Sequence, residues 1–444
     1  MRSLRVVLVP ARPESSRALQ RLSRLTANAW RAAGADVVVH DHRQRDRKAL
    51  RRAAGECGLV HVIDPYDVTL LPSLDSASVT VQCHDLTDLL ADLGMRRDAG
   101  HRPRLGRARR ARTVVETLAR VDRVVATSEF VRGQLEEITK RDADVLYPPI
   151  DPALTLGPSR EGWQPPTWPF LLVVSDSRPQ DRRELAFTAW ASLRRTRGLD
   201  GASLIVVGAE PTAVEEEIAT RSGGHVMHLA SVNDAALAAL YGRCQALLSL
   251  GAPSGFVWPI VEAHQAGRPV LATDHPVFVE TGQSGCVYLP AEGITQFDQR
   301  TWTSIAEDLT ARVVSERGTA NAERFGWRRF VERLPALAGP PRFTGSTLSA
   351  SASASMADSN PGPRMEEVVL PQEISLRDMT HGPTPLPVPL APLPAGQPTA
   401  RPITPPAPPS TTTPATTHPA PGSPAQPGTQ HTARLAEPTE LTRA

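Results

Sequence analysis

Short, almost uninterrupted apolar runs alternate along this chain with segments of helical periodicity, and the alternation happens twice. LRVVLV (4–9) is followed by a helical pattern through 14–33 and by ADVVVHD (35–41). GLVHVID (58–64), VTVQC (79–83) and DRVVATS (122–128) continue the series, and the helical FVRGQLEEIT leads into ADVLYPP. After Pro165 the rhythm restarts: FLLVVS (170–175), a helix over RRELAFTAWASLRR, SLIVVG (203–208), HVMHLAS, a helix from Asn233, QALLSL, a helix from Pro259, and PVLAT. A strand that is apolar at successive positions has no solvent face, so it belongs in a parallel sheet covered by helices on both sides. Two such passes of about 150 residues predict an α/β protein with two Rossmann-like domains facing a cleft. A last helix over 319–336 is expected to pack back across both.

The apolar rhythm then stops. From Pro341 the last 104 residues hold 22 of the 43 prolines and a single aromatic residue, Phe343. So few large apolar side chains cannot offset the entropy cost of ordering. The expected division is 1–150 and 151–338 for the two domains, with 339–444 a disordered Pro/Ser/Thr-rich C-terminal tail. Net charge is +2, and the tail carries six Arg against seven acids, which leaves about +3 on the remainder and argues against nucleic acid as a partner. Cys57, Cys83, Cys244 and Cys286 are scattered without a CxxC, so neither a zinc site nor a disulfide framework is expected, and a cytoplasmic setting is the simplest reading. The first apolar run ends at Pro10, too early for a signal peptide, and no run reaches membrane-spanning length. Arg outnumbers Lys 47 to 2, with no Lys after Lys140, so any anion site in the second half must use Arg.

Residues 233–280 are the most informative stretch. Asn233 or Asp234 can cap a helix, QALLSL runs as a strand into the loop GAPSGFVW, Pro259 opens a helix and Gly267 closes it. Glu262 falls in the first turn of that helix, at the carboxyl edge of a parallel sheet where ligands of open α/β sheets bind. There it either accepts hydrogen bonds from sugar hydroxyls or merely complements the helix dipole. Helix-start amides and the Ser254-Gly255 loop can receive phosphate.

The stretch Ser254-Gly255-Phe256-Val257-Trp258-Pro259-Ile260-Val261-Glu262, followed by Ala263, Gly267, Pro269 and Val270, resembles the donor site of GT-B glycosyltransferases. It is most similar to the retaining glycosyltransferase family four (glycosyl transferases group 1), which has Glu-Gly-Phe-Gly-x-Pro-x-x-Glu there. The resemblance runs over roughly residues 1–338. It includes His84-Asp85-Leu86, Thr127-Ser128-Glu129-Phe130, Tyr147-Pro148-Pro149-Ile150-Asp151, Leu240-Tyr241 and Phe325-Gly326-Trp327. It implies an N-terminal acceptor domain, a C-terminal nucleotide-sugar domain, and transfer of a sugar from a nucleotide diphosphate sugar with retention. By resemblance Glu262 would hold the ribose, and Ser254, Gly255 and Phe256 would lie beside the donor sugar and phosphates. The donor is then a co-substrate, with no other cofactor and no metal. The acceptor would be a glycan or a lipid-linked molecule.

Two departures bear on the site. Ser254 stands where the family has the first Glu of its pair. In the loop before the helix RRELAFTAWASLRR, the family's diphosphate-binding Arg and Lys fall near Asp176 and Asp181, and two aspartates there would repel a diphosphate. Arg178, Arg182 and Arg183 lie close by and either take the cationic role or are solvated helix-start residues. These departures keep a second reading open, a catalytically degenerate GT-B protein that acts as a binding or scaffold partner. His84 ends a strand at the cleft edge and is expected to contact the donor sugar as the catalytic residue, with Asp85 capping the next helix. Ser15 or Ser16 can cap the first helix. Eight arginines between Arg96 and Arg112 form either a peripheral contact with an anionic membrane at the inner face or a solvated loop.

Overall fold

Both passes of apolar runs become parallel sheets. The computed structural model describes residues 4–40, 47–71, 78–95, 105–154, 164–175, 178, 181–251, 255–290 and 292–339. The first sheet is built from β1 (Arg5–Val9), β2 (Asp36–Val39), β3 (Leu59–Val62), β4 (Ser78–Cys83), β5 (Arg123–Ala126) and β6 (Asp144–Val145), in the order β2-β1-β3-β4-β5-β6. The second holds β7 (Phe170–Ser175), β8 (Ser203–Gly208), β9 (Val226–Leu229), β10 (Leu247–Ser249), β11 (Val270–Thr273) and β12 (Cys286–Leu289), in the order β12-β11-β10-β7-β8-β9. Chain direction across this second sheet reverses between β7 and β10, which opens a crevice at their carboxyl ends. The Pro148-Pro149 pair that follows Tyr147 cannot extend a ladder, so the expected run ADVLYPP yields only the two-residue β6.

Helix starts follow the side chains that can cap them. Ser16 Oγ accepts from Leu19 N at 3.3 Å and starts the helix Arg17–Ala32. Asn233 does the same through Ala236 N at 2.8 Å for Asp234–Arg243. Asp85 Oδ1 accepts from Thr87 N at 2.8 Å, just ahead of the helix Thr87–Asp92. These bonds satisfy amides that have no partner within the helix.

The end of the chain differs from the single helix expected over 319–336. Helix Arg312–Ala322 gives way to a tight turn at Glu323–Phe325, and Gly326 takes an extended conformation before helix Trp327–Arg333. The break re-aims the chain. Phe330, Leu334 and Leu337 then pack with Val6, Leu59 and Val125 of the first sheet. Ile150 N donates to Phe325 O at 2.8 Å at the same junction. The last described segment thus returns to the first domain. Beyond Gly339 the Pro/Ser/Thr-rich tail lies outside the described residues.

Candidate functional site

A pocket of about 180 Å³ opens at the carboxyl ends of β7 and β10 and is closed on its far side by the end of β4. Its walls bring together His84 and Asp85 from the first domain with Ser175, Arg178, Asp181 and the turn Gly255–Pro259 from the second. The two domains touch there backbone to backbone, through an antiparallel bridge between Asp85 and Gly255. Gly255 is obligatory for this approach, because a Cβ on it would lie 2.4 Å from the His84 carbonyl oxygen.

His84 follows β4 directly and is buried. Its Nδ1 lies 3.3 Å from Thr127 Oγ1, and its ring rests 5.1 Å from the Trp258 ring. Burial pushes its pKa down to about 4, so the imidazole is neutral at physiological pH. It can exchange hydrogen bonds with a sugar hydroxyl but carries no charge to stabilise an anion. Trp258 anchors the opposite wall, its indole Nε1 donating to Pro149 O at 3.0 Å. Phe256 is buried beside it, with its ring 5.2 Å from Phe325 and 5.5 Å from Trp258.

Helix Trp258–Gln265 begins on this wall with Pro259 in its first turn and no side-chain cap on its amides. The amides of a helix start and the positive end of the helix dipole together favour an anion.

The loop arginines divide. Arg178 lines the pocket and reaches across the cleft, its Nη1 3.2 Å from Asp85 Oδ2. Asp181 also lines the pocket and accepts from Ser175 Oγ at 2.7 Å and from Arg178 N at 3.1 Å. Arg182 takes a left-handed conformation with φ 41°, stands outside the pocket wall and lies 3.7 Å from Glu184. Arg183 is 3% exposed and is committed to the neighbouring loop: its Nε and Nη2 grip Glu215 at 2.8 and 2.6 Å, and Nη1 donates to Ala209 O. Burial alone would raise the Glu215 pKa, but Arg183 and the Thr212 amide hold it below the usual value. Nη2 also donates to Glu210 O, so Arg183 ties two helix starts together with four of its five N–H donors while lining the pocket. The carboxylate that holds it comes from a helix 32 positions further along the chain. Asp176 and Ser254 lie outside the described residues.

Glu262 is buried beneath the pocket wall and is not among the residues that line it. Tyr241 Oη donates to its Oε2 at 2.8 Å, and Arg21, from the first helix of the first domain, pairs with Oε1. Arg21 also stacks 5.3 Å from the Trp258 ring and lies 3.8 Å from Asp151. Burial works against the Arg21 charge, yet Glu262 and Asp151 outweigh it and raise its pKa. Arg21 is the residue that sequence reasoning missed. Nothing separated it from the other arginines, and its partners lie 130 and 241 positions away.

Glu280 makes a further link across the domains, accepting from the amides of Glu129 and Phe130 at 2.5 and 3.1 Å. Of the basic cluster, Arg107, Arg109, Arg110 and Arg112 fall on helix Leu105–Leu118, with Arg110 5.2 Å from the Tyr66 ring and Arg107 4.0 Å from Asp92. Arg96, Arg97, Arg102 and Arg104 lie outside the described residues. No described helix is long and apolar enough to cross a membrane.

Residues 169–303, which run from the start of β7 past β12, match the family Glycosyl transferases group 1. The fold is GT-B. Sucrose-phosphate synthase from Thermosynechococcus elongatus shares this GT-B architecture at a TM-score of 0.56 and 14% identity, over 75% of this chain and 98% of that one. HepE from Anabaena, determined with UDP-glucose, superposes at 0.56 with 15% identity, over 75% and 98%. The GT-B protein OtsA, in its apo form, follows at 0.52 and 10%, over 76% and 99%. No curated protein matches the sequence significantly.

Proposed function

We propose that this protein transfers a sugar from a nucleotide diphosphate sugar to a glycan or lipid-linked acceptor, with retention of anomeric configuration. The observation that carries this reading is the uncapped start of helix Trp258–Gln265, which opens on the cleft pocket within the segment that matches glycosyl transferases group 1. Its amides would receive the diphosphate as negative charge grows on the leaving group, a role in which preorganised donors outperform water. Arg178, 34% exposed, lines the pocket and would exchange Asp85 for a phosphate oxygen. Neutral His84 would hold a donor-sugar hydroxyl and orient the ring. The donor enters as a co-substrate, without a resident cofactor or metal ion. The acceptor would approach from the first domain, in the cytoplasm, with the arginines of helix Leu105–Leu118 drawing an anionic membrane surface close.

A second reading, a binding or scaffold protein on a GT-B frame, is favoured by one observation: Asp181 faces the pocket, and the Arg183 guanidinium on the same wall is paired with Glu215. Calorimetric titration of the full chain with ADP, GDP, UDP and their sugars separates the two. Binding of one nucleotide, weakened by Arg178→Ala and accompanied by release of the sugar, supports transfer. If every nucleotide diphosphate fails to bind, the scaffold reading takes its place.

A further inference from the structure

Three contacts fix the His84 ring. Trp258 lies against it at 5.1 Å between ring centroids, and Gly255 backs it so closely that a Cβ there would stand 3.2 Å from Cε1. The third partner is Thr127, whose Oγ1 lies 3.3 Å from Nδ1. β4 and β5 run side by side with Cys83 opposite Ala126, so the residues that follow them, His84 and Thr127, meet at the carboxyl edge of the sheet. Among the described residues Nε2 makes no hydrogen bond, and the ring lines the pocket.

Thr127 decides which ring nitrogen carries the proton. Its hydroxyl has a single hydrogen. Thr127 Oγ1 donates that hydrogen to the His84 carbonyl oxygen at 3.2 Å. Only lone pairs remain for Nδ1, so the 3.3 Å contact is a hydrogen bond when Nδ1 bears the proton. With the proton on Nε2 instead, the hydroxyl could serve the carbonyl or Nδ1 but not both. The other contact would then set acceptor against acceptor between two buried residues.

We infer that Thr127 is a positioning residue: it holds His84 as the Nδ1–H tautomer and so presents a bare Nε2 to the cleft as the acceptor for a hydroxyl of the donor sugar. The inference rests on the donor reading above and assigns the direction of that contact. No proton is transferred, because a ring with its pKa lowered to about 4 is too weak a base to take one from a hydroxyl.

Nitrogen-15 spectra of the labelled full chain at pH 7 read the tautomer directly, since ring nitrogens with and without a proton resonate far apart; His84→Gln identifies the His84 signals. A protonated Nδ1 and a bare Nε2 are expected. The reverse tautomer overturns the inference and leaves the donor reading standing. Calorimetry supplies the second arm, with UDP, GDP and ADP set against UDP-glucose, GDP-mannose and ADP-glucose on wild type, Thr127→Val and Thr127→Ser. Valine keeps the branched shape without the hydroxyl, and serine keeps the hydroxyl. Thr127→Val should weaken the nucleotide sugar that binds by about threefold to tenfold, the size of one neutral hydrogen bond, and leave its bare nucleotide unchanged. Thr127→Ser should restore the sugar's share. A threonine that only supports the fold would weaken both ligands or neither, and either result overturns the inference. If no nucleotide and no nucleotide sugar binds the wild type, the donor reading falls and the sugar contact with it. If Thr127→Val does not fold, the wild-type tautomer still decides.

Discussion

Replacing Gly255 by Ala adds one methyl group at the point where the two domains meet. Gly255 is not among the glycines with positive φ, so its backbone is open to alanine and the cost is purely steric. The new Cβ would stand 2.4 Å from the His84 carbonyl oxygen, 3.3 Å from its carbon and 3.2 Å from the ring Cε1. The first two are backbone atoms and cannot rotate away. The same carbonyl accepts from Thr127 Oγ1 at 3.2 Å, so relief by displacement stretches that bond and opens the Asp85–Gly255 bridge. Overpacking of this kind costs about 1–3 kcal/mol. With an unfolding entropy of about 2.1 cal/mol/K per residue over roughly 330 residues, that is a fall in Tm of about 1.5–4 °C. Scanning calorimetry of wild type and Gly255→Ala measures it, and small-angle scattering reports whether the cleft has widened. A variant that melts with the wild type and keeps its scattering profile would show that the His84–Gly255 contact does not hold the cleft closed.

Three more outcomes follow from buried charges. Glu262→Gln leaves Arg21 beside a neutral amide, and breaking such a buried pair should cost about 3 kcal/mol or more in urea unfolding; an unchanged midpoint would count against the Arg21–Glu262 pair as a stabilising contact. Arg183→Met strands Glu215 and should cost about 3–5 kcal/mol while leaving nucleotide affinity intact; the reverse pattern would place Arg183 at the phosphates after all. His61, His84 and His264 are each held neutral by burial, with pKa lowered to about 4 from 6.5. The unfolded chain therefore takes up these protons first as pH falls. Stability should be complete above pH 6.5 and decline from there towards pH 4, by up to about 3 kcal/mol per histidine. Burial raises the pKa of Asp64 and Glu280, which works the opposite way and offsets part of the loss. Urea midpoints at pH 7, 5.5 and 4.5 check the slope, and a flat profile would contradict burial of the three rings.

Periodicity determined the architecture without help from the structure. Unbroken apolar runs such as FLLVVS have to be buried on both faces, and that requirement alone leads to parallel sheets with helices on either side. Local chemistry was legible to within a residue: the structure selects Ser16 over Ser15 and Asn233 over Asp234 as caps, and Asp85 bonds the Thr87 amide from one position ahead of the N-cap Leu86. The pocket wall could be read in part for the same reason, since Gly255, Phe256 and the helix start at Trp258 are contiguous. What tertiary structure decided is which charges are available. Arg178, Arg182 and Arg183 are close in sequence, yet one faces Asp85 across the cleft, one stands outside the wall, and one is locked to Glu215. The resemblance placed Glu262 at the ribose, and no local pattern announced Arg21 and Tyr241 as its partners. A side chain's role depends on the partner that meets its charge, and for these residues the partner lies tens to hundreds of positions away, where no local pattern can announce it.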